Sequence, residues 1–246
     1  MLTGTLDTSD RSTGLLIVSG GNEVRMGAHR GMASLAARLA ATGTPVFRYD
    51  RRGIGDSSGE NRGFLESAPD IAAAAATFAA ETGIRRMVAF GNCDAATALA
   101  LFHGVAGIDA LVLANPWVVA SGGDLPPAAA IRARYAERLR DPRTLARLVR
   151  GGVNLRKVSS GLSKIFSRKS EADAALTKRF IEALDGSSTP TSIILASRDA
   201  TALAFMDAVK AVKIHAVIHT LDTASHSFAR EADQAALESI IRGVLA

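Results

Sequence analysis

The sequence predicts an α/β fold, a mainly parallel, doubly wound sheet with a helical insertion. Three observations carry that expectation. Short apolar runs alternate with helical stretches through residues 15–116 and again through 189–246. The pentapeptide Gly91-Asn92-Cys93-Asp94-Ala95 stands at one of the strand-to-helix turns. Between the two alternating stretches, residues 117–188 contain no convincing strand.

Residues 1–11 are polar and carry Asp7 and Asp10, unlike a secretory leader. The compact run Leu15-Leu16-Ile17-Val18 predicts a buried strand, closed by Ser19-Gly20-Gly21. Residues 32–41 read as a helix that Gly43-Thr44-Pro45 ends before a strand over 46–50. An alanine-rich helix over 69–82 stops at Gly83. Met87-Val88-Ala89-Phe90 predicts the strand that enters the pentapeptide, and 96–102 the helix that leaves it. A strand over 110–114 is closed by Asn115-Pro116. Helices are expected over 128–139, 142–150 and 172–184, with Gly151-Gly152 and Ser159-Ser160-Gly161 as hinges. The core resumes with a strand over 191–197, a helix over 201–212, a strand over 216–221 and an amphipathic helix over 228–244. The expected organisation is therefore a core of 1–116 and 189–246 with a lid at 117–188.

A chain of 246 residues, 48% of them hydrophobic, can bury the core of one such domain. No apolar run approaches the roughly 18 residues that span a bilayer, so no integral membrane segment is expected. A single cysteine and no export signal point to a reducing, cytoplasmic setting. The net charge of +5 is concentrated between Ile131 and Lys169, where arginines and lysines far outnumber Glu137 and Asp141. Such a segment is either a solvated helical face or an attractor of anionic partners. Without interleaved aromatics or a nucleic-acid module, nucleic acid is not an expected partner.

The pentapeptide has the form Gly-x-nucleophile-x-Gly/Ala, with cysteine as the nucleophile. Small residues flank it because a sharp turn crowds strand against helix. By default a lone cysteine is only a small buried hydrophobe. A second motif argues otherwise: Asp50-Arg51-Arg52-Gly53-Ile54-Gly55-Asp56-Ser57 follows the strand upstream. Its glycines lack the spacing of a P-loop or a dinucleotide-binding turn. Together these motifs resemble the α/β-hydrolase superfamily, in which a D-x-R-G-x-G-x-S loop precedes the elbow. The resemblance implies an α/β-hydrolase fold, a helical lid and a nucleophile–acid–histidine order along the chain.

Cys93, Asp199 and His226 occur in that order, the latter two just after strands, where such sheets place their sites. Asp222 is the competing acid. The oxyanion donors expected are the N–H of Asp94, after the nucleophile, and that of Asn22, with Gly21 next. His29, Arg30, Arg132, Arg134 and Arg138 are candidate substrate contacts. His103, His215 and His219 fall within or before elements and read as structural. No metal or cofactor is expected.

The stretch from Ser19 to Arg30, the Asp50–Ser57 loop and the Gly-x-Cys-Asp elbow also resemble hydrolase 1 of the exosortase A-associated systems. The reaction implied is hydrolysis of an ester or thioester, small or carrier-bound, through an acyl-cysteine. The alternatives are a non-catalytic binding protein with this fold, or a lactone hydrolase similar to dienelactone hydrolase.

Overall fold

Leu15, Leu16, Ile17 and Val18 are all buried, which demands a strand covered by helices on both faces. A computed structural model, describing residues 1–119 and 171–246, provides that arrangement. Its strands are β1 (Gly4–Asp7), β2 (Thr13–Val18), β3 (Val46–Tyr49), β4 (Arg86–Asn92), β5 (Ala110–Ala114), β6 (Thr191–Ala196) and β7 (Val217–Leu221). They form one seven-stranded sheet in the order β1-β3-β2-β4-β5-β6-β7. Every pairing is parallel except that of β1 with β3.

The helices are α1 (Gly31–Ala40), α2 (Ala68–Thr82), α3 (Asp94–Phe102), α4 (Glu171–Asp185), α5 (Ala200–Val209) and α6 (Glu231–Leu245). Leu35 and Leu39 of α1 share one cluster with Leu237, Ile241 and Leu245 of α6. Phe78 of α2, Leu99 of α3, Phe180 of α4 and Phe205 of α5 share the other. Successive β4 residues alternate between the clusters, Val88 and Phe90 in one, Met87 and Ala89 in the other. The sheet is thus doubly wound, and β4 lies at its centre between β2 and β5.

Two features depart from the sequence expectations. β1 is an added edge strand, held antiparallel in the register Gly4↔Tyr49 to Asp7↔Val46. Gly4 lets it lie on the Phe47 ring, since a Cβ there would sit 2.4 Å from that ring's Cζ. The other is α4, at the end of the stretch expected to form the lid. Its Leu176, Phe180 and Leu184 are buried in the sheet's own cluster. The Phe180 and Phe205 rings meet edge to face with centroids 5.4 Å apart. This helix is therefore part of the layer over the sheet. The expected helices over 128–139 and 142–150, both hinges, and Arg132, Arg134 and Arg138 lie outside the described residues.

Candidate active site

Cys93 joins β4 directly to α3 and adopts φ 63°, ψ −126°. For a side chain with a Cβ this conformation costs about 1–3 kcal/mol, so the surroundings must enforce it. They do so through both backbone groups of Cys93. Its N–H donates to the Ala114 carbonyl (2.9 Å), and its carbonyl accepts from the Trp117 N–H (3.1 Å). Gly91 lets the helix close on the strand: a Cβ there would lie 2.8 Å from the Ala95 backbone carbon. Cys93 itself is half-buried.

His226 reaches Cys93 from the loop after β7. Its Nδ1 lies 3.0 Å from Asp199 Oδ2, and Cys93 is near enough to the same ring to help raise its pKa. Asp199 is buried and caps α5, where its Oδ2 accepts from the N–H groups of Thr201 (2.9 Å) and Ala202 (3.1 Å). One carboxylate thus starts a helix and orients an imidazole. Burial opposes the His226 charge, but the hydrogen bonds and charges of Asp199 and Cys93 outweigh it and raise the pKa to about 10. Burial likewise opposes ionisation of Asp199, while His226 and the helix N–H groups hold its pKa below the usual carboxylate range. At neutral pH these directions favour an imidazolium beside the Asp199 carboxylate. Asp222 is elsewhere engaged: its side chain is 87% exposed and pairs with Arg198 at 3.1 Å.

Two asparagines that the sequence did not single out hold the histidine loop. Asn92 and Asn115 both donate to the His226 carbonyl, at 3.0 and 3.2 Å. Asn115 also donates to Asn92 Oδ1 (3.2 Å) and accepts the Ala196 N–H (2.9 Å). It is fully buried and left-handed, with φ 42°. Its sequence signal was an asparagine-proline strand end, which reads only as a turn.

The loop after β2 faces the elbow. Glu23 N–H closes a turn on the Gly20 carbonyl at 3.0 Å, and the second turn residue, Gly21, has φ 55°, which glycine tolerates. Gly20 must also be glycine, because a Cβ would lie 2.3 Å from the Asn92 carbonyl oxygen. The Gly21 N–H, expected as a second-choice oxyanion donor, is taken by Asp94 Oδ1 at 2.6 Å. That corrects its assignment, since a donor bonded to a carboxylate is not open to an oxyanion. The Asn22 N–H has no hydrogen-bond partner among the described residues, and the Asp94 N–H opens α3 as one of its unpaired donors. The Asp94 carboxylate faces Gly21 and Arg51, whose Nη2 lies 3.3 Å from Asp94 Oδ2.

The Asp50–Ser57 loop is a staple beside the site. Asp50 is fully buried, binds the Arg25 guanidinium and accepts the N–H groups of Arg25 (2.6 Å) and Asp56 (3.1 Å). Arg52 pairs with Asp70 at 2.7 Å. His29 and Arg30 are exposed at the start of α1, both with positive φ, and no hydrogen bond joins either to Cys93, Asp199 or His226. His103 is buried, with its Nε2 2.9 Å from Ser187 Oγ. His215 pairs with Asp185, and His219 lies within β7. Among the described residues, no cluster of three or more His, Cys, Asp or Glu could hold a metal, and no helix is long and apolar enough to cross a membrane.

Comparison with known proteins agrees with this fold. A model of the alpha/beta hydrolase family matches residues 15–238. No curated protein sequence matches the chain. Among solved structures, the alpha/beta hydrolase GrgF from Penicillium sp. sh18 is similar at TM-score 0.63 and 16% identity, covering 99% of this chain and 92% of its own. An esterase from Pyrococcus furiosus is similar at TM-score 0.60 and 18% identity, over 99% and 84%. A serine hydrolase without a lid, from Xanthomonas campestris, is similar at TM-score 0.60 and 13% identity, over 99% and 89%. At these identities the likeness concerns the fold.

Proposed function

The chain belongs to the alpha/beta hydrolase family, and from that membership we propose that it hydrolyses an ester or thioester through an acyl-cysteine. The observation that carries the proposal is the His226 imidazole, hydrogen-bonded to Asp199 at 3.0 Å and adjacent to Cys93 at the strained elbow. A pocket that only binds has no use for a strained nucleophile backed by an oriented imidazole.

In the reaction, the Cys93 thiolate attacks the acyl carbon and the carbonyl oxygen becomes an oxyanion. The N–H groups of Asn22 and Asp94 stabilise it. As the intermediate collapses to a Cys93 thioester, His226 gives its proton to the departing alkoxide or thiolate. A water then attacks the thioester, His226 accepts its proton, and the acid leaves with the thiolate restored. Asp199 keeps the imidazole in the useful tautomer throughout.

The alternative, a binding protein with a hydrolase fold, draws on the cysteine in the place of serine and on Asp94 beside the thiol. That support weakens because the Asp94 carboxylate is bonded to Gly21 and Arg51. The sequence resemblance to exosortase A-associated hydrolase 1 supports a bacterial hydrolase, the single cysteine suits a reducing, cytoplasmic setting, and dienelactone hydrolase keeps a lactone among the substrates to assay. We read the lid as ending before α4, whose face is buried on the sheet. The charge of Arg132, Arg134 and Arg138 suits an anionic or carrier-bound acyl substrate.

The test is turnover of neutral and anionic thioesters and esters of graded acyl length by wild type, Cys93→Ser and Cys93→Ala. Wild type is expected to turn over at least one ester class and Cys93→Ala to fall by about three powers of ten. Equal rates for wild type and Cys93→Ala would overturn the proposal. In the same assay, identical salt responses for neutral and anionic substrates would remove the arginines from recognition.

A further inference from the structure

We propose that Arg51 and Asp94 form a latch that fixes the Gly21–Asn22 peptide and so aims the Asn22 N–H at the oxyanion; this deepens the acyl-cysteine reading and rests on it. Both polar groups of Gly21 are held. Its N–H donates to Asp94 Oδ1 at 2.6 Å, and its carbonyl accepts from Arg51 Nη2. The same Nη2 lies 3.3 Å from Asp94 Oδ2, closing the ring of contacts.

The consequence follows from peptide geometry. The Gly21 carbonyl and the Asn22 N–H belong to one trans peptide, in which the two groups point in opposite directions. Drawing the carbonyl onto Arg51 therefore turns the Asn22 N–H away from it. That N–H carries no hydrogen bond among the described residues, as an oxyanion donor requires. The positive φ of Gly21 lets the turn present its peptide in this sense. Because Asp94 is the residue after the nucleophile, the latch also spans from the loop to the elbow. Movement of the two oxyanion donors relative to each other is restrained by it.

Arg51 is 5% exposed and belongs to the position between Asp50 and Arg52 that the loop motif leaves variable. Its second terminal nitrogen, Nη1, is buried with no hydrogen-bond partner among the described residues. An unpaired buried donor is costly. Arg51 bears that cost while its Nη2 holds the loop, as expected of a side chain placed for position more than for stability. Asp94 is likewise no free charge beside the thiol, since the guanidinium faces it.

The experiment compares two reactions at Cys93, one that forms an oxyanion and one that does not. Ester turnover passes through a tetrahedral oxyanion; alkylation by iodoacetamide is a direct displacement at carbon. The variant Arg51→Met/Asp94→Asn removes the ion pair without leaving a net charge next to the thiol. Its ester kcat is expected to fall about 10- to 100-fold with KM within about two-fold, short of the 100- to 1,000-fold for deleting a donor. Its iodoacetamide rate is expected to stay within about three-fold of wild type, which also shows that the elbow is folded. Arg51→Lys, which keeps a cation and a donor, should recover part of the kcat. Unchanged kcat in the double variant overturns the latch while leaving the acyl-cysteine intact. Equal loss in both reactions, or a change confined to KM, overturns it as well. A wild type that turns over no ester overturns the underlying reading and the latch with it.

Discussion

Asn115→Gly and Asn115→Ala will each unfasten the histidine loop from the sheet, and the difference between them isolates the backbone. The wild-type side chain accepts the Ala196 N–H at 2.9 Å and donates to Asn92 Oδ1 and to the His226 carbonyl at 3.2 Å each. Either substitution leaves the Ala196 N–H buried without that acceptor, costing about 1–3 kcal/mol. The two donated bonds add about 0.5–1.5 kcal/mol each before neighbours relax. Asn115→Gly is therefore expected to lose about 2–6 kcal/mol, with relaxation of the neighbours moving it toward the lower end. Alanine must also hold φ 42°, which Asn and Gly tolerate and Ala does not; it should lose about 1 kcal/mol more. The His226 carbonyl keeps its bond from Asn92 (3.0 Å), so the loop loosens without detaching. Ester kcat should fall about 10- to 100-fold, the scale for a reacting group displaced by about an ångström. Urea unfolding midpoints and ester kinetics on the same preparations provide both readouts. Two variants within about 0.5 kcal/mol of wild type would refute the clamp. An alanine variant no less stable than the glycine one would refute the backbone part of the reasoning.

The two aspartates should separate cleanly. Asp199→Asn is expected to cut ester kcat by about two to four powers of ten by misorienting the imidazole, whereas Asp222→Asn, at an exposed carboxylate, should change it less than two-fold; the reverse ranking would exchange their roles. His226 should also couple stability to pH. Its folded-state pKa of about 10 lies above the unfolded value of about 6.5. The stabilisation is then whole below about pH 6.5 and is lost as pH rises through 10. The urea midpoint of wild type minus that of His226→Gln should shrink steadily between pH 6.5 and 10, and a difference that grows over that window would contradict the shift.

How far the sequence revealed all this depended on whether the information was local. Strands such as 110–114 and 191–196 are runs whose apolar character alone requires burial, and they form as expected. The elbow was legible because crowding between Gly91 and Ala95 acts within five consecutive residues. β1 was not, since Gly-Thr-Leu-Asp has little apolar character and becomes a strand only by pairing with β3, some forty residues on. The sequence predicts a helix over 172–184 but does not say which surface it covers, which is set by Phe180 and Leu184 packing into the cluster that holds Phe205. Chain order and strand-end position admitted both Asp199 and Asp222, and only the contact of His226 Nδ1 with Asp199 separates them. Asn92, Asn115 and Arg51 were illegible as site residues, because their roles lie in contacts with His226 and Gly21 far along the chain. Gly21 was chosen as a donor for its place in the loop, and only the position of the Asp94 carboxylate shows that its N–H is occupied.

The central claim is a covalent thioester on Cys93. Intact-protein mass spectrometry after brief mixing with an activated acyl ester, followed by peptide mapping, tests it most directly. The account predicts one added acyl group, located on the peptide containing Cys93, released by hydroxylamine at neutral pH and accumulating when His226→Gln slows deacylation. An acyl group on any other residue, or the same mass gain in Cys93→Ala, would contradict it.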